Sequence, residues 1–121
     1  MSSRSLVVKV TAGKDDPERC NQAFSVAATA AASGVQVSLW LTGEAAWFAL
    51  PDHGDDVVLP HAVPVPDLLA GILSAGAVTV CTQCAARREI TEDDVLCGIR
   101  IAGAATFVAE VLMEGAQALV Y

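Results

Sequence analysis

The sequence predicts an α/β domain built around a mainly parallel β-sheet. Short stretches of apolar or alternating residues, typical of strands, recur along the chain and are separated by segments with helical signals. The first strand, helix and second strand fit within about 36 residues and form a βαβ unit, whose crossover should be right-handed. Strands and helices that alternate in this way give a sheet covered by helices on both faces.

The first βαβ unit is delimited by clear turn and cap signals. Residues 6–10 are apolar except for one lysine and predict the first strand. Asp16 is a preferred N-cap and Pro17 a preferred first residue for the following helix, which Gly34 ends. Residues 35–41 alternate and then become fully apolar, so they predict the second strand.

The rest of the chain continues the pattern after one irregular segment. Residues 51–66 hold four of the five prolines and both histidines, and predict a long loop in which His53 and His61 are exposed to solvent. The other predicted elements are a short helix from 42 or 43 to 50, a helix from 66 to about 76, a third strand over 77–81, a helix start of the capping-box type at 91–94, a helix from 104 to about 114 and a final strand over 117–121.

Composition limits the classes of partner. A chain of 121 residues is the size of one domain, and its 54% apolar content is high enough to favour burial of surface in an oligomer. The net charge is −7 with only seven Lys and Arg residues. Direct binding of nucleic acid or of an anionic membrane surface needs clustered positive charge, so neither is expected.

Cellular location follows from the N-terminus and from the cysteines. Residues 1–5 lead directly into a strand, without the apolar region or cleavage site of a signal peptide, and no apolar stretch is long enough to span a bilayer. A cytoplasmic protein is therefore expected. In a reducing compartment the four cysteines are more often free, reactive or metal-bound than joined in structural disulfides.

Cys81 and Cys84 form a Cys-x-x-Cys pair where the third strand gives way to a helical segment. Backbone N–H groups and the helix dipole at a helix start stabilise a thiolate, and Arg87 and Arg88 add positive charge nearby. Thiolate is the species that attacks sulfur. The pair is therefore the candidate catalytic site, although free cysteines are also common core residues.

Other roles for the cysteines remain open. A structural zinc site needs four ligands, usually from two Cys-x-x-Cys pairs, and the chain has one pair, so neither a metal nor a cofactor is predicted. Cys20 follows the first strand and could be an accessory thiol at the same edge of the sheet, or a buried helix cysteine. Cys97 lies in an apolar stretch and is expected in the core. Gly13-Lys14 resembles the end of a phosphate loop without its other residues, and is expected to be a solvated turn that could form a wall of the site.

The segment from Val80 to Ile90, VCTQCAARREI, resembles the signature of the DsrE/DsrF-like (TusD-like) sulfur-relay family. When the arginines are aligned, Cys81 matches the family's sulfur-carrying cysteine and Cys84 the second cysteine of members with Cys-x-x-Cys. Residues 101–105 with the following helix and strand are also similar, so the resemblance extends over the chain. Glu89 stands where the family usually has glycine. This departure predicts a local change in the backbone, and its carboxylate would oppose thiolate formation.

The resemblance implies a flavodoxin-like three-layer fold, with residues 1–121 as a single DsrE-like domain that assembles into trimers or hexamers. It implies a sulfur carrier or sulfurtransferase subunit in which Cys81 accepts sulfur from a donor persulfide protein and passes it to an acceptor protein. Cys84 would release the sulfur by forming a disulfide with Cys81. The alternatives are a thiol–disulfide redox protein that uses the same pair, and a non-catalytic assembly subunit with buried cysteines.

Overall fold

The structure is a computed structural model and describes residues 4–121. The expectation that the chain starts without a signal peptide falls in part on residues 1–3, which lie outside the described residues. Within residues 4–121 no helix combines the length and the apolar character needed to cross a membrane.

A five-stranded, all-parallel sheet forms the centre of the fold. Its strands are β1 (Ser5–Val10), β2 (Gln36–Leu41), β3 (Ala77–Cys81), β4 (Ile99–Ala102) and β5 (Ala116–Val120). Their order across the sheet is β4-β3-β2-β1-β5. The predicted α/β class, with its flavodoxin-like three-layer arrangement and mainly parallel sheet, is confirmed.

Four α-helices and two short 3₁₀ helices connect the strands. The α-helices are α1 (Pro17–Ala32), α2 (Val65–Ala75), α3 (Thr82–Arg87) and α4 (Ala104–Val111), and the 3₁₀ helices are Gly43–Ala49 and Pro51–His53. Asp16 caps α1 as the sequence predicts, because its carboxylate accepts a hydrogen bond from the backbone N–H of Arg19 at 3.3 Å. Pro17 is at the start of the helix.

The direction of the crossovers explains why the two faces of the sheet are covered unequally. From β1 to β4 each strand is added on the same side of the previous one, whereas β5 returns to the opposite side of β1. Right-handed crossovers place helices on one face when the chain steps one way and on the other face when it steps back. Hence α1, α2 and α3 share one face of the sheet, and α4 is on the other.

The face that carries α1 and α2 is a closed apolar core. Val8, Leu39 and Val80 of the central strands and Phe24 and Ile72 of the two helices have no exposed surface. Full burial of one such side chain contributes about 1.5–3 kcal/mol. This face therefore holds the sheet rigid beneath the strand ends.

The face beneath α4 is partly polar and less covered. Trp40 of β2 packs edge-on against Phe107 of α4, with ring centroids 5.3 Å apart. The Glu110 carboxylate accepts hydrogen bonds from Ser38 Oγ at 2.6 Å and from Trp40 Nε1 at 2.9 Å, and it also pairs with Arg100. One eight-residue helix thus covers this face through a charged network, and no residue of α4 is fully buried.

One prediction for residues 91–102 is wrong, and one strand in this segment was not predicted. The capping-box signal at 91–94 starts no helix, because Asp94 Oδ2 accepts hydrogen bonds from both the N–H and the hydroxyl of Thr91 and closes a turn. The chain then forms β4, a strand the sequence did not predict, since it is only four residues long and includes Arg100. Short, charged strands are typical of sheet edges.

Cys97 is exposed, so its predicted place in the core is also wrong. Its neighbours Val95 and Leu96 pack against the core instead, and the backbone N–H of Leu96 donates to the carbonyl of Ala49 at 2.8 Å. The apolar stretch is therefore real, but the chain turns at Cys97 before it enters β4. The last helix is shorter than predicted as well, since α4 ends at Val111.

Candidate dithiol site

Cys81 and Cys84 lie together at the carboxyl edge of the sheet, where chemistry collects in parallel α/β folds. Cys81 is the last residue of β3 and also the N-cap of α3, with extended backbone angles of φ −64° and ψ 132°. Cys84 is in the first turn of α3. Both thiols are half-buried, and the strand-to-helix junction that the sequence predicts is confirmed.

The surroundings of Cys81 favour its thiolate. Partial burial opposes ionisation, but the backbone N–H groups of Cys84 and Gln83, the Cys84 thiol and the charge of Lys9 together hold the Cys81 pKa below its ordinary 9.0. The sulfur makes no regular capping hydrogen bond. The N–H groups therefore act on it through close approach at the helix start, which is sufficient for a large, polarisable thiolate.

Cys84 is held by a second loop. Its sulfur accepts a hydrogen bond from the backbone N–H of Gly43 at 3.3 Å. Gly43 has φ +53°, and a Cβ at this position would be 2.5 Å from the carbonyl oxygen of Thr11. Only glycine suits such a place. The loops that follow β1 and β2 thus fix the position of the Cys84 sulfur.

Arg88 is hydrogen-bonded to the backbone of Cys84, whereas Arg87 is exposed. The Arg88 guanidinium donates to the Cys84 carbonyl at 3.1 Å, and its Nε and Nη2 donate to Glu44 Oε2 at 3.2 and 2.8 Å. This side chain therefore ties α3 to the 3₁₀ helix after β2. Neither arginine is among the groups that lower the Cys81 pKa. Arg88 positions the site, and Arg87 adds charge beside it.

Cys20 occupies a different environment. It is completely buried in the apolar core, and burial together with the charges of Asp15 and Asp16 raises the pKa of its thiol to about 12. A thiol in this state is neither accessible nor ionised near neutral pH. Within residues 4–121 no group of three or more His, Cys, Asp and Glu side chains is arranged to hold a metal ion.

Glu89, which stands where the family usually has glycine, has a positive φ. The helix α3 ends in a Schellman motif, in which Ile90 N–H donates to the Ala85 carbonyl at 2.9 Å and Glu89 N–H to the Ala86 carbonyl at 3.1 Å. Glu89 is at the left-handed position of this motif, with φ +55°. Glycine adopts this conformation at no steric cost, so this chain forms the motif with a residue that is strained in it.

Several residues around the dithiol were not identified from the sequence. Lys9 reads as an irregularity in an apolar strand, yet it lies close enough to lower the Cys81 pKa. Its alternation with buried neighbours, at the carboxyl end of β1, was the available signal.

His61 is exposed as predicted, but His53 is half-buried, stacks on Trp47 with ring centroids 5.0 Å apart and contacts Asp56. The prediction that His53 is solvent-exposed is therefore wrong.

Comparison with known proteins was made on this basis. The sequence model of the DsrE/DsrF-like family matches residues 4–120. The chain belongs to the DsrE/DsrF-like family. A comparison with curated proteins found no match.

Solved structures of DsrE-like proteins share the fold at low sequence identity. The YchN protein of E. coli has a TM-score of 0.78 at 17% identity, with 98% of this chain and 99% of YchN covered. MTH1491 of Methanobacterium thermoautotrophicum, a protein of unknown function, has a TM-score of 0.68 at 14% identity, with 99% and 100% covered. BT1422 of Bacteroides thetaiotaomicron, also of unknown function, gives 0.64 at 16% identity, with 97% and 94% covered. Identities this low establish the DsrE fold alone.

Proposed function

We propose that the protein is a sulfur carrier of the sulfurtransferase type, with Cys81 as the sulfur-bearing residue and Cys84 as its partner. The observation that carries the proposal is the electrostatic environment of Cys81, a half-buried thiol with a lowered pKa at the N-cap of α3. Membership of the DsrE/DsrF-like family, which is linked to sulfur relay, supports it.

The proposed chemistry has two steps. The Cys81 thiolate attacks the outer sulfur of a donor persulfide, the donor's S–S bond breaks, and the donor leaves as a thiolate while Cys81 becomes a persulfide. The Cys84 thiolate then attacks the inner sulfur of that persulfide. A Cys81–Cys84 disulfide forms, the outer sulfur leaves as hydrosulfide, and two electrons from an external thiol restore the pair.

Mass spectrometry after incubation with a persulfide donor tests this proposal. One added sulfur should map to Cys81 in the wild type, and Cys81→Ser should abolish it. Cys84→Ser should retain the added sulfur on Cys81 for longer, because the disulfide step is lost. Cys97→Ser is the matched control, since it removes an exposed thiol outside the site. Absence of added sulfur on both Cys81 and Cys84 would show that the protein is not a carrier.

A thiol–disulfide redox protein is the second candidate, favoured by the placement of Cys81 at the N-cap and Cys84 in the first turn of the same helix, α3. A Cys-x-x-Cys pair at a helix start can be oxidised to a disulfide. A measured reduction potential for the pair, together with turnover of a disulfide substrate and no persulfide on Cys81, would support this function over the carrier. If none of the four thiols reacts with an alkylating reagent under native conditions, this result would instead support a non-catalytic assembly subunit.

We also propose that the protein assembles into a trimer or hexamer through the face around α4. Large apolar side chains there are exposed, among them Leu112, Met113 and Val120 at 77%, 63% and 64%. Covering them by another copy would remove apolar surface from water. Light scattering at micromolar concentration should give the oligomer mass, and Leu112→Asp should lower it. A monomer mass for the wild type would contradict the assembly.

The existence of donor and acceptor proteins and a cytoplasmic location stay predictions.

A further inference from the structure

A cleft of about 440 Å³ near α3 is lined by three cations, two carboxylates, a histidine and a tryptophan. Three of the seven Lys and Arg residues of this acidic chain, Lys14, Arg87 and Arg88, line it. The chain as a whole carries a net charge of −7. The volume of the cleft is in the range of small-molecule sites.

The acidic groups of the cleft are already paired. Glu44 binds Arg88, with Oε2 and Nη2 2.8 Å apart, and Asp56 binds His53 Nδ1 at 2.8 Å. Within residues 4–121 neither Lys14 nor Arg87 makes a salt bridge. Arg88 balances Glu44, so Lys14 and Arg87 outweigh the single charge of Asp56 and leave a positive excess for an anionic ligand.

The loop after β1 brings Lys14 to the wall of the cleft. A Cβ on Gly13 would be 2.6 Å from the carbonyl oxygen of Glu44, so glycine is needed for the loop after β1 to approach so closely. The Asp15 carboxylate closes the turn by accepting from the Gly13 N–H at 2.8 Å. Gly13-Lys14 thus forms a wall of the cleft, without the rest of a phosphate loop.

The cleft adjoins the dithiol on the Cys84 side. Gly43, whose N–H holds the Cys84 sulfur, directly precedes Glu44 of the cleft. Arg88 reaches from the cleft to the Cys84 carbonyl. A ligand with its negative end on Lys14 and Arg87 would therefore lie beside the segments that position Cys84.

We propose that this cleft binds the carboxylate end of a low-molecular-weight thiol and so makes the persulfide of such a thiol the sulfur donor. This inference rests on the proposed carrier function and replaces the donor protein with a small molecule. In the transfer the Cys81 thiolate attacks the donor's outer sulfur. A new S–S bond forms between Cys81 and that sulfur, the donor's S–S bond breaks, and the small thiol leaves as a thiolate with the electron pair.

Binding is tested with two thiols that differ only in a carboxylate, N-acetylcysteine and its primary amide, neither of which can donate sulfur. Fluorescence of Trp47, which lines the cleft, provides the titration signal. The acid should bind more tightly than the amide, and the Lys14→Ala/Arg87→Ala double variant should bind the acid about tenfold more weakly. Arg4→Ala, the removal of one charge at the opposite end of β1, should bind like the wild type.

Transfer is tested with the persulfides of the same two compounds and with a protein persulfide donor. Faster loading from the acid persulfide, lost in the double variant and at high ionic strength, supports the inference. Equal binding of acid and amide, or loading from the protein donor alone, overturns it while the carrier function stands. Failure of all three donors to load either cysteine overturns the carrier function itself, whatever the binding titration shows.

Discussion

The units β1–α1 and β3–α3 leave the same edge of the sheet, and each has a cysteine in or before the first turn of its helix. Their chemistry is opposite. Cys81 precedes its helix as the N-cap, is half-buried and has a lowered pKa. Cys20 is already inside its helix, its N–H bonded to the Asp16 carbonyl at 3.0 Å, and burial raises its pKa to about 12.

This comparison shows that a helix start alone does not activate a thiol. The unpaired N–H groups of the first turn face the N-cap side chain, whereas a side chain one turn later is directed away from them. Acidic residues at a helix start interact favourably with the helix dipole, and Asp15 and Asp16 hold this position before α1. The same charges suppress a thiolate at Cys20. Position relative to the cap and the local charge decide reactivity together.

The largest expected effect is the difference in alkylation rate between the two cysteines. Three pKa units separate the Cys20 thiol from an ordinary one, which lowers its thiolate fraction about a thousandfold, and burial blocks the reagent as well. Cys81 should react at least ~10³ times faster than Cys20 in the native protein. Its rate should fall as pH drops through its lowered pKa, with a midpoint below pH 9.0. Iodoacetamide labelling with peptide mapping across pH measures both rates, and comparable native rates would refute the contrast.

Serine in place of each cysteine should have unequal effects on stability. Cys20→Ser puts a hydroxyl in an apolar site and should lower the free energy of unfolding by about 1–2 kcal/mol. Cys81→Ser supplies a preferred N-cap residue and should change it by less than about 0.5 kcal/mol. Urea denaturation of both variants gives the two values. A larger loss for Cys81→Ser would mean that the Cys81 sulfur also stabilises the fold.

The C-terminal ends of the same two helices offer a smaller test. Both end in a Schellman motif, but α1 has Gly34 at the left-handed position, with φ +85°, and α3 has Glu89. Glu89→Val should destabilise the protein by about 1 kcal/mol relative to Glu89→Gly, because a β-branched residue tolerates positive φ poorly. Melting temperatures of the two variants check this. Equal melting temperatures would indicate that residue 89 leaves the left-handed region.

The smallest expected effect separates the contribution of the Cys84 thiol from that of the helix start. Cys84→Ala removes the side-chain donor to Cys81 and should raise the Cys81 pKa, so its alkylation rate near neutral pH should fall about threefold. Cys84→Ser retains a donor and is the matched control. If the alanine and serine variants react equally fast, the Cys84 side chain makes no contribution to the Cys81 pKa.

The sequence was sufficient for the architecture and for the place of the dithiol, because periodicity, capping residues and the Cys-x-x-Cys spacing are local signals. It was insufficient for β4, where four residues with a central arginine carry no strand pattern and pairing with β3 decides the structure. Of the cleft, only the Gly13-Lys14 turn was anticipated, as a possible wall of the site. Lys14, His53 and Arg87 come from three separate loops and helices, and only the parallel sheet brings them to one edge.

The N-cap position of Cys81 has a consequence for how this family can diversify. Serine, threonine, aspartate and asparagine all cap a helix as well as cysteine or better, so the fold imposes little demand for sulfur at this residue. Descendants of such a protein could lose the thiol by single substitutions and still fold. Cysteine at residue 81 is therefore a better marker of retained chemistry than the shared architecture is.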